Sequence, residues 1–276
     1  MSDWIDGPWF EHHASWADTP HLTHGATTRH GGVSGAPYAS FNLGLHVGDI
    51  PSRVQDNRTF LARGLGVTRD MLVFAGQVHG STISFVDDQC AGNTVAQSDG
   101  LVTRTVGVAL VILVADCAVV GLYDPDQHAA ALVHAGWRGT VAGIAGRAVR
   151  TMCTRFASNP EHIFASIGPS IGPCCYAVGT DVVDAFTAAY PELCGEIFAP
   201  PDFASAGSFP GTLDSGGAML DLWTANTRIL EREGLRRNHI SVAAQCTACH
   251  TDRFYSHRAE KGQTGRFAGV MLLRAR

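Results

Sequence analysis

Between Gly107 and His134 the chain passes through three apolar runs in quick succession, and no other feature restricts its fold as tightly. Residues 107–115 form the most hydrophobic stretch; 118–123 follow directly after Asp116-Cys117, and 129–133 lead into His134. Each run is strand-sized and far shorter than a membrane span. Asp124-Pro125-Asp126-Gln127 parts the last two runs with good turn chemistry, so 118–123 and 129–134 are expected to pair as a hairpin. Further strands are expected at 71–74, 82–86, 108–114, 163–167 and 240–243, and helices at 52–65, 140–156, 180–189 and 221–233. In the second helix Val141, Ile144, Ala145, Ala148, Val149 and Met152 recur at helical spacing. Thr180 followed by Asp181 gives the third a capping residue and an early acid. The mixture predicts an α/β (α+β) chain, and the hairpin favours a mixed sheet over a doubly wound parallel one.

At 276 residues the chain has room for a large core. It shows no internal repeat and no composition break that would mark a boundary, so residues 1–276 read as a single domain. Residues 31–37 form a turn-rich loop. Residues 199–217, rich in Pro, Ser, Gly and Ala, read as a long surface insertion.

Three small polar clusters stand where strands are expected to end, and each offers one soft or borderline metal ligand. They are His79 in Gly76-Gln77-Val78-His79-Gly80, Cys117 in Ala115-Asp116-Cys117, and His134 in Val133-His134-Ala135-Gly136-Trp137-Arg138-Gly139. Two imidazoles and a thiolate suit zinc, with copper possible, and three protein ligands leave a fourth position for water or substrate. A buried thiol beside two hydrogen-bonded histidines is the plainer alternative. Asp116, Arg138 and several glycines crowd the same strand ends, where polar groups are costly unless they are used. Arg138 sits between a strand and a helix start, a position suited to an anion such as phosphate.

Composition narrows the partners. A net charge of −5 argues against nucleic acid or an anionic membrane as the main partner, and 45% apolar with 16% charged residues is ordinary for a soluble globule. The N-terminal residues 1–13 carry acids where a signal peptide needs basic and apolar residues, so the expected compartment is the cytoplasm. Eight cysteines in a chain of this length are then mostly reduced. Cys246-Thr247-Ala248-Cys249-His250 invites a second metal reading. Nothing nearby in sequence completes a tetrahedron, so these read as partly buried thiols, and Cys174-Cys175 are too close to pair with each other. Residues 31–35 lack the Gly-Lys-Ser/Thr ending of a P-loop.

The segments Gln77-Val78-His79-Gly80, Ser98-Asp99-Gly100-Leu101-Val102-Thr103, Ala115-Asp116-Cys117 and His134-Ala135-Gly136-Trp137-Arg138-Gly139 resemble the signature of the YfiH-type laccase-domain family. The likeness starts at Thr28-Arg29-His30-Gly31-Gly32, runs through Phe41-Asn42-Leu43-Gly44, His46-Val47-Gly48-Asp49 and Gly168-Pro169-Ser170-Ile171-Gly172, and ends at Ser256-His257-Arg258 and Thr264-Gly265-Arg266. His257 departs from it, standing where an aromatic or small residue is expected. The family is also called multicopper polyphenol oxidoreductase or purine nucleoside phosphorylase, and its relatives include peptidoglycan editing factors.

The resemblance implies a layered α-β-β-α sandwich and a purine nucleoside enzyme. Its expected reactions are phosphorolysis of adenosine, inosine, guanosine or methylthioadenosine, and deamination of adenosine. On that reading His79, Cys117 and His134 hold the metal and Asp116 shuttles protons. Arg29, Asn42, Gln77, Arg138, Tyr176 and Arg258 meet substrate or phosphate, with Tyr176 either stacking on the purine or covering the core. Two other readings stay open. Cys117 with His134 as base makes a cysteine hydrolase for a peptidoglycan precursor. Copper-dependent polyphenol oxidation is the other, although none of the 13 histidines forms a His-x-His pair. The sequence leaves the oligomeric state open.

Overall fold

The computed structural model describes residues 10–11, 19, 21–200 and 217–276. Two six-stranded mixed sheets stack face to face. The first runs β1 (Phe10–Glu11), β2 (Leu22–Thr27), β15 (Phe267–Leu273), β7 (Ala109–Val114), β3 (Leu72–Gly76), β5 (Thr94–Ala96). The second runs β14 (Ile240–Val242), β10 (Phe164–Ile167), β8 (Ala118–Asp124), β9 (Ala129–Ala135), β6 (Gly100–Thr103), β4 (Ile83–Phe85). A small third sheet, β11 (Ala177–Val178), β13 (Ala218–Leu220) and β12 (Phe198–Ala199), lies beyond them.

The period of two along each strand sorts side chains between layers. On β7, Leu110, Ile112 and Val114 meet Val119, Tyr123, Ala130 and Leu132 of the second sheet. Val111 and Leu113 face the opposite way, against Leu61 and Leu65 on and beside helix α1 (Pro51–Gly64). Ala118, Val120, Leu122, Ala131 and Val133 face Ile144, Ala148, Val149 and Met152 of α3 (Ile144–Phe156) and Ile229 and Leu230 of α6 (Leu222–Arg232). The order of layers is therefore helix, sheet, sheet, helix, as the resemblance implies. Even-numbered residues of β9 point between the sheets, and His134 is the last of them before the strand ends.

The expected hairpin is present: β8 and β9 pair antiparallel with Val119 opposite His134, and the Asp124 carboxylate accepts from the N–H groups of Asp126 and Gln127 in the turn. The expected helix over 140–156 is instead two, α2 (Trp137–Val141) and α3. Gly143 breaks it with φ +70°, a left-handed conformation that glycine adopts at no steric cost. Arg138 consequently lies in the first turn of α2, not in a turn before a helix. Helix α4 (Thr180–Ala189) keeps its expected bounds, and α5 (Cys194–Ile197) follows it. The expected insertion at 199–217 lies almost entirely outside the described residues.

Candidate metal centre and cleft

His79, Cys117 and His134 meet at one end of the inter-sheet layer, with one ligand atom from each lying within 4.8 Å of the others. Strand β9 delivers His134. The segment between β7 and β8 delivers Cys117, next to Asp116, whose φ of 90° marks the sharp crossing between the sheets. The segment after β3 delivers His79 at φ 58°. The two imidazoles lie edge to face, ring centroids 4.8 Å apart.

Asp99 organises the site, and sequence reasoning missed its role although Ser98-Asp99-Gly100 stood among the quoted motifs. The residue is wholly buried. Its carboxylate accepts from the backbone N–H groups of Val78 (3.1 Å), His79 (2.9 Å) and Gly80 (2.8 Å), which fixes the loop that presents His79. It also contacts Nδ1 of His134 at 2.8 Å, and that bond turns Nε2 toward Cys117. Burial alone would raise the Asp99 carboxyl, but the bonds from His134, Gly80 and Val78 outweigh it and hold the group below the usual carboxylate range.

The same balance polarises Cys117 and His134. Burial opposes ionisation of Cys117, yet His134 and His79 overcome it and bring the thiol down to about 6. Burial also opposes charge on His134, which Cys117 and Asp99 overcome, raising it to about 9. Without metal the pair is thus a thiolate beside an imidazolium at neutral pH. Gly136 makes room for it: a Cβ there would stand 2.8 Å from Cys117 Sγ and 3.6 Å from His134 Nε2. A thiolate, two imidazoles and a carboxylate behind one of them fit a zinc ion with an open position.

The three side chains open into a cavity of about 710 Å³, within the usual range for small-molecule sites. Asp116, Gln77, Tyr176 and Arg258 line it. Gln77, however, spends both ends of its carboxamide on the backbone of Leu113, accepting at 2.9 Å and donating at 2.9 Å, so it extends the β3–β7 pairing. Asp116 accepts from Thr247 Oγ1, Ser256 Oγ and the Arg258 N–H, each at 2.7 Å, and anchors the 256–258 loop against the cleft.

Arg29, Asn42 and Arg138 do not line the cavity. Arg29 bonds the carbonyls of Ala39 and Thr251 and pairs with Glu260 at 3.0 Å. Asn42 is completely buried and bonds Gly44, Asp49 and the Arg266 N–H; it is a structural node of the loop. Arg138 is exposed, its guanidinium 4.2 Å from the centroid of the Trp137 ring.

Two arginines from elsewhere, Arg58 and Arg266, supply the wall's positive charge, beside a His46 ring that they and burial hold toward its neutral form. His46, Arg58 and Arg266 line the cavity, unforeseen as a group because they come from a loop, a helix and a distant strand start. Burial, followed by repulsion from Arg69, lowers Arg58 to about 10. Burial lowers Arg266 too, against the pull of Cys117 and Asp116, and burial with both arginines lowers His46. Arg58 uses Nε and Nη2 on the Leu43 carbonyl, and Arg266 uses Nη1 on the carbonyls of Thr264 and Gly265, so each guanidinium has further N–H groups to offer.

Comparison with known proteins places these features in context. A family model described as multi-copper polyphenol oxidoreductase laccase matches residues 23–274. Purine nucleoside phosphorylase YlmD of Geobacillus stearothermophilus is 41% identical over 249 residues, covering 88% of this chain and 86% of the relative. Adenosine deaminase RL5, from an unknown prokaryotic organism, is 34% identical, covering 89% and 91%. The crystal structure of Bacillus licheniformis hypothetical protein YfiH superposes with a TM-score of 0.89 at 33% identity, covering 98% of each chain.

Proposed function

Because the chain belongs to the multi-copper polyphenol oxidoreductase laccase family, whose members similar to it include enzymes named purine nucleoside phosphorylase and adenosine deaminase, we propose that it is a zinc-dependent purine nucleoside enzyme. It cleaves adenosine, inosine, guanosine or methylthioadenosine with phosphate to base and ribose 1-phosphate, and deaminates adenosine. The observation that carries this reading is one cavity joining the His79–Cys117–His134 centre to the His46–Arg58–Arg266 wall.

His79, Cys117 and His134 hold the ion, and Asp99 keeps His134 in the tautomer that offers Nε2. Bound there, zinc supplies Lewis acidity that makes a water a nucleophile near neutral pH. Tyr176 offers its ring to the purine, and Arg258, 5.3 Å from that ring's centroid, closes the same side. Asp116 lines the cavity and is the carboxylate that this reading assigns to proton transfer. Arg58 and Arg266 receive the phosphate and hold it toward the ribose. The abundance of free thiols among the described residues suits a reducing compartment, the cytoplasm.

The thiolate–imidazolium pair also favours a second reading, in which Cys117 is the nucleophile of a hydrolase acting on a peptidoglycan precursor. His79 weighs against it, since a dyad has no use for a second imidazole held in the same cluster. Copper oxidation fits less well. Among the described residues one cluster contains histidine, and it contains two, too few for a multinuclear copper centre.

The test is a nucleoside panel assayed with and without phosphate. Omitting phosphate should stop release of free base and leave adenosine deamination. Arg58→Ala and Arg266→Ala should each slow phosphorolysis by about 10- to 150-fold, the worth of a charge-assisted contact of roughly 1.5–3 kcal/mol. Arg138→Ala should stay near wild type. Base release that ignores phosphate, or an Arg138 variant more damaged than the other two, would refute this placement.

A further inference from the structure

A second group of metal-ligand side chains lies outside the cleft. Cys174, Cys175, Cys246 and Cys249 bring their sulfurs within 4.8 Å of one another. The sequence shows only half of this cluster, because the Cys246-x-x-Cys249 pair finds its other two ligands in the loop after β10. Two of the four are buried and two exposed, and all four are free thiols.

The distances discriminate between the available chemistries. Cys174 Sγ stands 3.6 Å and Cys175 Sγ 3.4 Å from Cys249 Sγ. A disulfide needs about 2.05 Å. The edge of a tetrahedron built on zinc–sulfur bonds of about 2.3 Å is about 3.8 Å, close to both of these contacts and inside the 4.8 Å within which all four sulfurs lie. The backbone is arranged for a thiolate as well: Gly172 N–H donates to Cys246 Sγ at 3.2 Å, while the Cys249 and His250 N–H groups close the turn on the Cys246 carbonyl. A Cys-x-x-Cys turn with a backbone N–H from the facing turn on its first sulfur suits a metal-binding pair. Four sulfur ligands with no open position make a closed, structural site.

We propose that these four cysteines bind one structural zinc ion that staples the Gly172–Tyr176 turn to the 246–250 turn. The staple stands directly behind the cleft. Tyr176, next to Cys175, lines the cavity, and Thr247, next to Cys246, bonds Asp116. Ser170 and Cys246 pair as an isolated parallel bridge, and Ile171 N–H bonds the Asp116 carbonyl at 2.8 Å. Zinc here therefore fixes the wall that carries Tyr176 without touching substrate.

The test is metal content and cobalt absorption of the full chain purified under reducing conditions. Native protein should carry one equivalent more zinc than the double variant Cys174→Ser/Cys249→Ser, whose altered side chains are exposed in the fold. That difference does not depend on whether the cleft also binds zinc, since His79→Ala removes only the other equivalent. In cobalt-exchanged protein the sulfur-to-cobalt charge-transfer band should fall by roughly four-fifths in the double variant, because four of five thiolate bonds are lost. The variant should also melt at lower temperature. Equal metal content in native and variant, an unchanged cobalt band, or a native mass showing a disulfide among these cysteines would overturn the proposal.

Discussion

Asp99 has no direct contact with any ligand atom except through His134, yet both the imidazole and the loop bearing His79 depend on it. Removing such a carboxylate behind a ligating histidine weakens metal binding by about 10- to 100-fold. Asp99→Asn should show that loss in a competition titration against a chelator, and an unchanged affinity would leave His134 without need of an orienting partner. The charges at the site also set a pH dependence. Between about 6, where Cys117 ionises, and about 9, where His134 does, the metal-free site keeps one proton on His134 that zinc must displace. Apparent zinc affinity should therefore rise about tenfold per pH unit across that window and flatten above it. Calorimetry in buffers of different ionisation enthalpy should find about one proton released at pH 7.5; a pH-independent affinity would mean that the pair is not charged as described.

At the scale of elements, the site depends on how closely β9 and α2 approach the β7–β8 crossing. Gly136, the residue before α2, has φ −65°, which any residue adopts, so only space forbids a side chain there. Gly136→Ala would push its Cβ to 2.8 Å from Cys117 Sγ, and the sulfur is the atom free to swing aside. The variant should keep its melting temperature within a few degrees and lose most of its cleft metal, measured by zinc analysis; full metal content would show that the thiolate tolerates the contact. The elements that carry His79, Cys117 and His134 were legible because each is local: an apolar run, a polar residue, a turn. The hairpin and its His134 follow from 118–134 alone. Strands β2, β6 and β15 were not, although β15 holds the centre of the first sheet, because their places depend on partners far away in sequence. The anion wall was hidden for the same reason. Arg58 reads as a polar helix position and Arg266 as a loop residue until the fold sets Arg58 over Phe74 and Arg266 within the field of Cys117 and Asp116. Arg29, which reads as a phosphate ligand, is held by Glu260 instead.

In the whole molecule, four layers leave one end of the inter-sheet space open, and every group argued to act on substrate lies there. No helix among the described residues is long and apolar enough to cross a membrane. The helical layers enclose the sheets, and the cysteine-bearing loops form one lip of the opening. Metal chemistry and the thiol-nucleophile alternative share Cys117 and His134, so variants of those two residues do not separate them. His79 does. It is exposed, its loop is held by backbone bonds to Asp99, and replacing it leaves the core untouched. The decisive measurement is adenosine turnover by His79→Ala, with bound zinc determined in the same sample. A zinc-dependent nucleoside enzyme loses one equivalent of zinc and both nucleoside activities while its melting temperature holds. Retained turnover in protein that has lost that zinc, or a covalent adduct on Cys117 in a rapidly quenched reaction, would contradict it.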